Sequence, residues 1–269
     1  MSVHPLDRAT ALAHAGGHVF AGRTDPDWAN MVGPYGGISA AQKLAAVLAH
    51  PQRLGEPVAL TVNYAAAVAD GTFAIEAVPV RTNRSTQHWQ LTMRQGDAVV
   101  LTGTAFTALR RESFRHVEHA MPQVPPPDQV PLAEGPKRVA WLHRYGLRFV
   151  EGGIPARWDG ADQGDSRTRL WMRDEPPRPL DFTALAALAD VFFPRVWRRR
   201  ATLIPVGTVS ITVYFHADGA QLARVGTGWV LGQAQGQGFG LGYFDHAGQL
   251  WAEDGTLLAT THQVVYMKE

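Results

Sequence analysis

A lone carboxylate stands in an apolar helical segment of the chain. Apolar residues at i, i+3 and i+4 predict a buried helix around Asp190, formed by Leu185, Leu188, Ala189, Phe192 and Phe193. Because an unpartnered buried carboxylate is costly, this acid must accept hydrogen bonds, carry a raised pKa or line a cavity that admits water. A general base has these properties, although an acid at the edge of the apolar stripe, solvated or capping another group, gives the same pattern.

The strand after this helix carries hydroxyl groups on one face. From Thr208 to His216, polar residues alternate with apolar ones, which is the period of two of a half-buried strand. The apolar face consists of Val209, Ile211, Val213 and Phe215. This stretch therefore predicts a buried helix, a turn and a strand, and both the helix and the strand carry a polar residue suited to chemistry.

The composition excludes several classes of function. The 269 residues are 45% hydrophobic and 18% charged, with a formal net charge of +1, so we expect no nucleic acid or membrane partner. The chain has no cysteine, which excludes a disulfide, a thiolate nucleophile and a Cys-ligated zinc. No stretch reaches ~18 consecutive apolar residues, and the start of the chain lacks a signal-peptide pattern. We expect a cytoplasmic protein with no metal or cofactor of its own.

Two glycines precede an Ala-rich helix in the first half of the chain. After a short strand at 18–23, Gly36 and Gly37 lead into a predicted helix over 38–50 that Pro51 ends. The segments that follow predict an antiparallel meander, with strands over 58–65, 72–81, 86–94 and 98–109.

A proline-rich segment separates this meander from the second half. Six prolines in residues 121–136 favour an extended connector. We therefore divide the chain into a unit at 1–115, a linker at 116–140 and a unit at 141–269. In the second unit we predict a helix from 182 and strands over 145–151, 167–173, 208–216, 221–231, 241–252 and 256–267.

The two halves repeat at a spacing of about 150 residues. Residues 44–48 resemble 188–192, and the strand at 58–64 keeps the apolar phase of the strand at 209–215. An Ala-Asp-Gly turn follows both strands. The pattern indicates two copies of one unit in which a sheet wraps a helix, an α+β fold.

Three stretches resemble the double-hotdog acyl-CoA thioesterases of the thioesterase II type. They are the Gly36-Gly37 pair before an Ala-rich helix, the strand TVSITVYFH at 208–216, and the ending DGTLLATTHQ at 254–263. The resemblance implies a double hotdog fold, and it implies that the protein hydrolyses an acyl-CoA thioester. In that family an Asp, a Thr and a Gln hold the attacking water, and the matching positions are Asp190, Thr208 and Gln263.

The repeat allows these three positions to be compared with the first half. Their counterparts there are Ala46, Pro57 and Ala105, none of which can hold a water molecule by its side chain. One half thus carries polar groups where the other carries inert ones.

Further residues are candidates for binding the substrate. Backbone N–H groups at Gly36 and Gly37 could receive the oxyanion, and a tight turn without a ligand is the alternative. The packing of Tyr35 would shape the acyl channel, which the glycine-rich loop at 232–242 could border. Arg198 and Arg199 could bind CoA phosphates, or form a solvated cluster favoured by the helix dipole.

One alternative function belongs to a different class. A protein that kept the tunnel without the reaction would be an acyl- or acyl-CoA-binding protein. An enoyl-CoA hydratase would need a Gly-Asp-x-Asn-Pro-x-His segment, and the sequence has none. Further association into a homo-oligomer is open, because two fused hotdog units already pair with each other.

Overall fold

The computed structural model describes residues 3–134 and 138–268. The helices are α1 (Pro5–Thr10), α2 (Gly36–Ala49), α3 (Phe182–Leu188), α4 (Val196–Arg199) and α5 (Gly219–Val225). The strands are β1 (Ala13–Gly16), β2 (Val19–Arg23), β3 (Glu56–Tyr64), β4 (Thr72–Thr82), β5 (Thr86–Gln95), β6 (Ala98–Ala108), β7 (Tyr145–Glu151), β8 (Thr168–Asp174), β9 (Val206–Phe215), β10 (Val230–Gln235), β11 (Phe239–Gly240), β12 (Tyr243–Ala252) and β13 (Leu257–Met267).

The strands form one sheet with two matching sides. Their order is β1-β2-β4-β5-β6-β3-β9-β13-β12-β10-β8-β7, and the short β11 pairs with β12 beside this path. Strands β3 and β9 meet at the centre, and each side continues outward in the same pattern. At this junction Thr61 pairs with Thr212, and their hydroxyl oxygens lie 3.0 Å apart. The predicted α+β double hotdog is confirmed.

The sequence repeat reappears as equivalent strand registers. Leu60 pairs with Ala105 in the first half, as Ile211 pairs with Gln263 in the second. Both central strands also carry a register shift, which falls between Pro57 and Ala59 in β3 and lies beside Thr208 in β9. The structure thus matches Pro57 with Thr208 and Ala105 with Gln263.

Helices α2 and α3 pack against each other inside the sheet. Small residues allow this close approach, because a Cβ atom on Gly37 would lie 2.5 Å from the Ala187 carbonyl oxygen. The hydroxyl of Tyr35 donates a hydrogen bond of 2.7 Å to that same oxygen. The first turn of α2 is therefore held directly against the last turn of α3.

The prediction that Asp190 lies within a helix is wrong. Helix α3 ends at Leu188, with Ala189 as its C-cap, and Asp190 occupies the turn that follows. Pro194 then prevents a continuous helix, since it lacks a backbone N–H. A separate short helix, α4, begins only at Val196.

Two assignments after β9 are also wrong. The predicted strand at 221–231 begins as helix α5, because Asp218 and Gln221 form a capping box that satisfies its first N–H groups. The glycine-rich segment at 232–242 is only partly a loop. Its first residues belong to β10, and β11 follows within it.

The proline-rich connector packs on the second half. Between residues 121 and 134 it forms no helix or strand apart from a short turn at Pro127–Gln129, and Val130 is buried with Trp171 and Trp251. The indole N–H of Trp171 donates to the carbonyl of Pro125 at 2.9 Å. The unit boundaries at 115 and 140 stay a prediction, and residues 1–2, 135–137 and 269 of those units lie outside the described residues.

The first predicted strand is confirmed as β2, whereas α1 and β1 were not expected from the sequence. The strands predicted at 58–65, 72–81, 86–94 and 98–109 are confirmed as β3 to β6. In the part of the chain that the structure describes, every helix is too short or too polar to cross a bilayer.

A methyl group at position 37 tests the contact between the two helices. We expect Gly37→Ala to lower the free energy of unfolding by about 1–3 kcal/mol, because its Cβ would overlap the Ala187 carbonyl and the Tyr35 ring. Urea denaturation measures this change. The control is Gly207→Ala, since a Cβ there meets nothing within 4 Å, and equal stabilities of the two variants would contradict the packing described.

Candidate active site

Asp190 and Gln263 meet inside the second half although they lie 73 residues apart in the sequence. The Gln263 side-chain nitrogen donates a hydrogen bond of 2.6 Å to Asp190 Oδ1. Gln263 points inward from β13, where only 3% of it is exposed. Asp190 as a whole residue is partly exposed, and the site joins its carboxylate to a buried amide.

The carboxylate also caps the helix of the other half. Tyr35 is the N-cap residue of α2 and offers no side-chain acceptor to its first turn. The backbone N–H of Gly37 instead donates to Asp190. A Cβ on Gly36 would lie 2.7 Å from Asp190 Oδ2, so only glycine allows this approach. Since a helix N-terminus attracts negative charge, α2 stabilises the ionised form of Asp190.

Burial has the opposite and larger effect on the pKa of Asp190. Burial raises the pKa of Asp190 from 3.8 to about 7, while the hydrogen bonds from Gln263 and Gly37 pull the pKa downward. The result is a carboxyl group near half ionisation at neutral pH. That is the condition under which a carboxylate can both take and return a proton.

Two tyrosines hold the backbone around the carboxylate. Tyr64 donates to the Gly36 carbonyl at 2.7 Å, and Tyr35 donates to the Ala187 carbonyl at the same distance. The Tyr35 ring stacks on Trp141 at 4.2 Å and is 2% exposed. Tyr35 therefore lies in an aromatic cluster behind the site and positions the turn that bears Asp190.

Thr208 lies on a different face of its strand than the alternation predicts. The register shift in β9 comes between Thr208, which pairs with Val265, and Ser210, which pairs with Val264. Val265 is 5% exposed, so Thr208 faces inward with it, and Val209 is 40% exposed. The structure thus places Thr208 on the same face as Gln263, diagonally across the strand pair from it.

The two arginines proposed for phosphate binding contact a loop of the second half. Arg199 is 2.9 Å from Asp162 and donates to the carbonyl of Gly164. Arg198 is 3.8 Å from Asp165 and donates to the carbonyl of Gly153. Both guanidinium groups are thereby neutralised in part by carboxylates of the chain itself.

Sequence reasoning missed two polar residues beside the Asp190–Gln263 pair. His246 pairs directly with Gln263 across β12 and β13, and Thr261 lies two residues before Gln263 on the same face. They are 2% and 3% exposed, respectively. The sequence contained a signal for His246. The residues of β12 that point inward alternate along the strand, and the others among them, Phe244, Gly248 and Leu250, have no polar side chain.

Two family models together match most of the chain. Residues 24–108 match the acyl-CoA thioesterase N-terminal domain, and residues 119–267 match the acyl-CoA thioesterase C-terminal domain. The second match ends at the last residue of β13, the strand that bears Gln263.

Solved structures with the same fold cover the whole chain. A hot dog fold protein of unknown function from Alicyclobacillus acidocaldarius is 50% identical, with a TM-score of 0.94 over 100% of this chain and 99% of that chain. The tesB protein of Mycobacterium avium subsp. paratuberculosis is 18% identical, with a TM-score of 0.81 over 100% of both chains. Acyl-CoA thioesterase II TesB2 from Mycobacterium marinum is 18% identical, with a TM-score of 0.75 over 98% of both chains. No curated protein matches the sequence.

The raised pKa of Asp190 predicts a pH-dependent cost to stability. Between its ordinary pKa of 3.8 and the folded value of about 7, the folded protein holds a proton that the unfolded chain releases. The free energy of unfolding therefore falls as the pH rises through this window and stays lower above it. Asp190→Asn removes this dependence, so its stability relative to wild type should increase by about 2–3 kcal/mol from pH 5 to pH 8.

Urea denaturation of both proteins at the two pH values measures this difference. Other titrating groups, such as Asp174, whose pKa burial also raises to about 7, contribute equally to both proteins and cancel. The exposed Asp97 provides a control as Asp97→Asn. A constant stability difference for Asp190→Asn across this range would show that its carboxyl group is not perturbed.

Proposed function

Because the chain belongs to the acyl-CoA thioesterase family, we propose that it hydrolyses an acyl-CoA thioester to a free acid and CoA. The observation that carries this proposal is the convergence of three groups. A carboxylate with a pKa of about 7 accepts hydrogen bonds from the Gln263 amide and from the first turn of α2. The proposed substrate is an acyl-CoA, so CoA enters as part of the substrate and not as a separate cofactor.

We assign to Asp190 the role of general base. Its carboxylate takes a proton from a water molecule while the water oxygen attacks the thioester carbonyl carbon. A tetrahedral oxyanion forms, the C–S bond then breaks, and CoA leaves as a thiolate that recovers the proton. A water molecule must reach Asp190 in this role, and the residue as a whole is partly exposed.

Gln263 and Thr208 orient the attacking water in this proposal. One N–H of the Gln263 amide holds Asp190 Oδ1 at 2.6 Å, and its second N–H is the donor that we assign to the water. Thr208 offers a hydroxyl on the same inner face. Fixing the water in a reactive orientation removes much of the entropy cost of the reaction.

The first turn of α2 is the proposed site of the oxyanion. The first four N–H groups of a helix have no partner within the helix, and the helix dipole favours negative charge there. Gly37 donates to Asp190, so the neighbouring N–H of Gly36 is the remaining donor at the glycine pair. Because neither glycine has a side chain, the thioester carbonyl can approach this backbone closely.

The phosphates of CoA are the part of the substrate that we assign to the two arginines after α3. Arg198 and Arg199 stay predicted ligands of its phosphates, and binding would require them to exchange Asp165 and Asp162 for phosphate oxygens. We assign to Tyr35 a positioning role, through its hydrogen bond to Ala187.

Release of free thiol from acyl-CoA tests the reaction. We expect wild type to release CoA from one or more members of a series of saturated acyl-CoA esters, followed with a thiol reagent. Asp190→Asn should lower kcat by at least ~100-fold, because removal of a general base costs roughly 10²–10⁴-fold.

The fold of the variant is verified by its unfolding transition, and Asp97→Asn serves as the matched control with full activity. Wild-type hydrolysis by Asp190→Asn would refute the role of this residue. If wild type binds acyl-CoA without turnover, the protein is an acyl-CoA-binding protein and the enzyme proposal is wrong.

The pH dependence of kcat provides a second test. A base with a pKa of about 7 makes kcat rise with pH and level off above neutrality. Because the hydrogen bond from Gln263 lowers the pKa of Asp190, Gln263→Leu should move the midpoint of this rise to higher pH as well as lower the plateau. A midpoint that stays in place or falls would contradict the arrangement.

A further inference from the structure

His246 is a buried polar residue that the described residues leave without a partner. It is 2% exposed, and neither ring nitrogen forms a hydrogen bond in the described part of the chain. Its ring lies edge-on to Phe192, with the centroids 5.9 Å apart. Burial lowers its pKa to about 3, so the imidazole is neutral and offers one donor and one acceptor.

The position of His246 connects it to the Asp190–Gln263 pair. It lies directly opposite Gln263, at a cross-strand Cβ separation of ~4.5–5.5 Å. The hydroxyl of Thr261 also lacks a partner among the described residues, and it lies two residues from Gln263 on the same strand face. Two unpaired groups therefore flank one amide.

The carbonyl oxygen of the Gln263 amide can accept a hydrogen bond, and His246 and Thr261 can each donate one. A carboxylate only accepts hydrogen bonds, so the nitrogen of Gln263 must face Asp190 and its carbonyl oxygen must point away. Among the described residues no donor is bonded to that oxygen. A rotation of the His246 or Thr261 side chain can bring an imidazole N–H or a hydroxyl toward that oxygen.

The equivalent strand positions of the first half hold no unpaired polar side chain among the described residues. By strand register, Trp89 is the counterpart of His246, Gly103 of Thr261, and Ala105 of Gln263. There the indole N–H of Trp89 is satisfied by the Thr107 hydroxyl at 3.1 Å. Unpaired polar groups at these positions therefore occur in the half that bears Asp190 and not in its counterpart.

We propose that His246, with Thr261, is a positioning residue that fixes the orientation of the Gln263 amide by donating a hydrogen bond to its carbonyl oxygen, so that its nitrogen faces Asp190. The inference rests on the proposed function. A buried histidine that keeps one ring nitrogen unpaired destabilises the fold, and the benefit of keeping it is a Gln263 side chain that cannot rotate its oxygen toward the carboxylate. Such a rotation would place two acceptors against each other.

His246→Phe tests the proposal, because phenylalanine keeps the packing against Phe192 and removes both nitrogens. We expect kcat for acyl-CoA hydrolysis to fall roughly tenfold or more with KM within about twofold, as misorientation affects the reaction more than binding. We also expect the melting temperature to stay unchanged or rise, because the variant removes the ring nitrogen that stays buried without a partner. His246→Gln, which retains a donor, should restore part of kcat.

His50→Phe is the matched control. His50 is also buried, but its nitrogens are bonded to His18 at 2.9 Å and to the backbone N–H of Gln52 at 3.1 Å. It follows the far end of α2, so its loss should lower the melting temperature and leave kcat unchanged. A purely structural role for His246 predicts this same result for His246→Phe and would overturn the proposal.

A second measurement does not depend on activity. In protein labelled with ¹⁵N-glutamine, the side-chain amide signal of Gln263 is assigned by its absence in Gln263→Leu. In His246→Phe we expect this signal to shift and its protons to exchange faster with solvent, and an unchanged signal would overturn the proposal. If wild type hydrolyses no acyl-CoA, the proposed function fails, and the NMR result still decides whether His246 orients Gln263.

Discussion

The close contact between the start of α2 and the end of α3 is the constraint on which the rest of the site depends. Gly36 and Gly37 allow the first turn of α2 to meet Ala187 and Asp190, where a Cβ atom on either glycine would overlap an oxygen. The carboxylate of the second half thereby becomes the cap of the first-half helix. Neither half could supply this arrangement alone, which explains why the two units share one sheet and one interior.

The two halves differ in the polar groups that they hold at equivalent positions. The equivalent positions of the first half hold Trp89, Gly103 and Ala105, and the only polar atom among these side chains is hydrogen-bonded. The second half holds an acid with a raised pKa and polar groups without protein partners. Each of these features destabilises the fold, and a large shared core provides the stability that allows them to persist.

Much of the fold follows from local patterns in the sequence. The strands β3 to β6 and the helix α2 are predictable because alternation and helical spacing are properties of neighbouring residues. The repeat indicates two units, and the resemblance to thioesterases identifies Asp190 and Gln263, which the structure brings together. The prediction failed at α5, where a capping box outweighed the strand-like composition.

The sequence by itself determined the repeat, the two-unit α+β architecture and the kinds of residue available for chemistry. Only the tertiary structure decided which of them meet. A register shift in β9 turns Thr208 inward, against the alternation in the sequence. Strand pairing sets His246 opposite Gln263, and helix packing brings Gly37 to Asp190. These contacts join residues that are distant in the chain, and no local pattern encodes them, because they depend on register and on the space that other side chains leave.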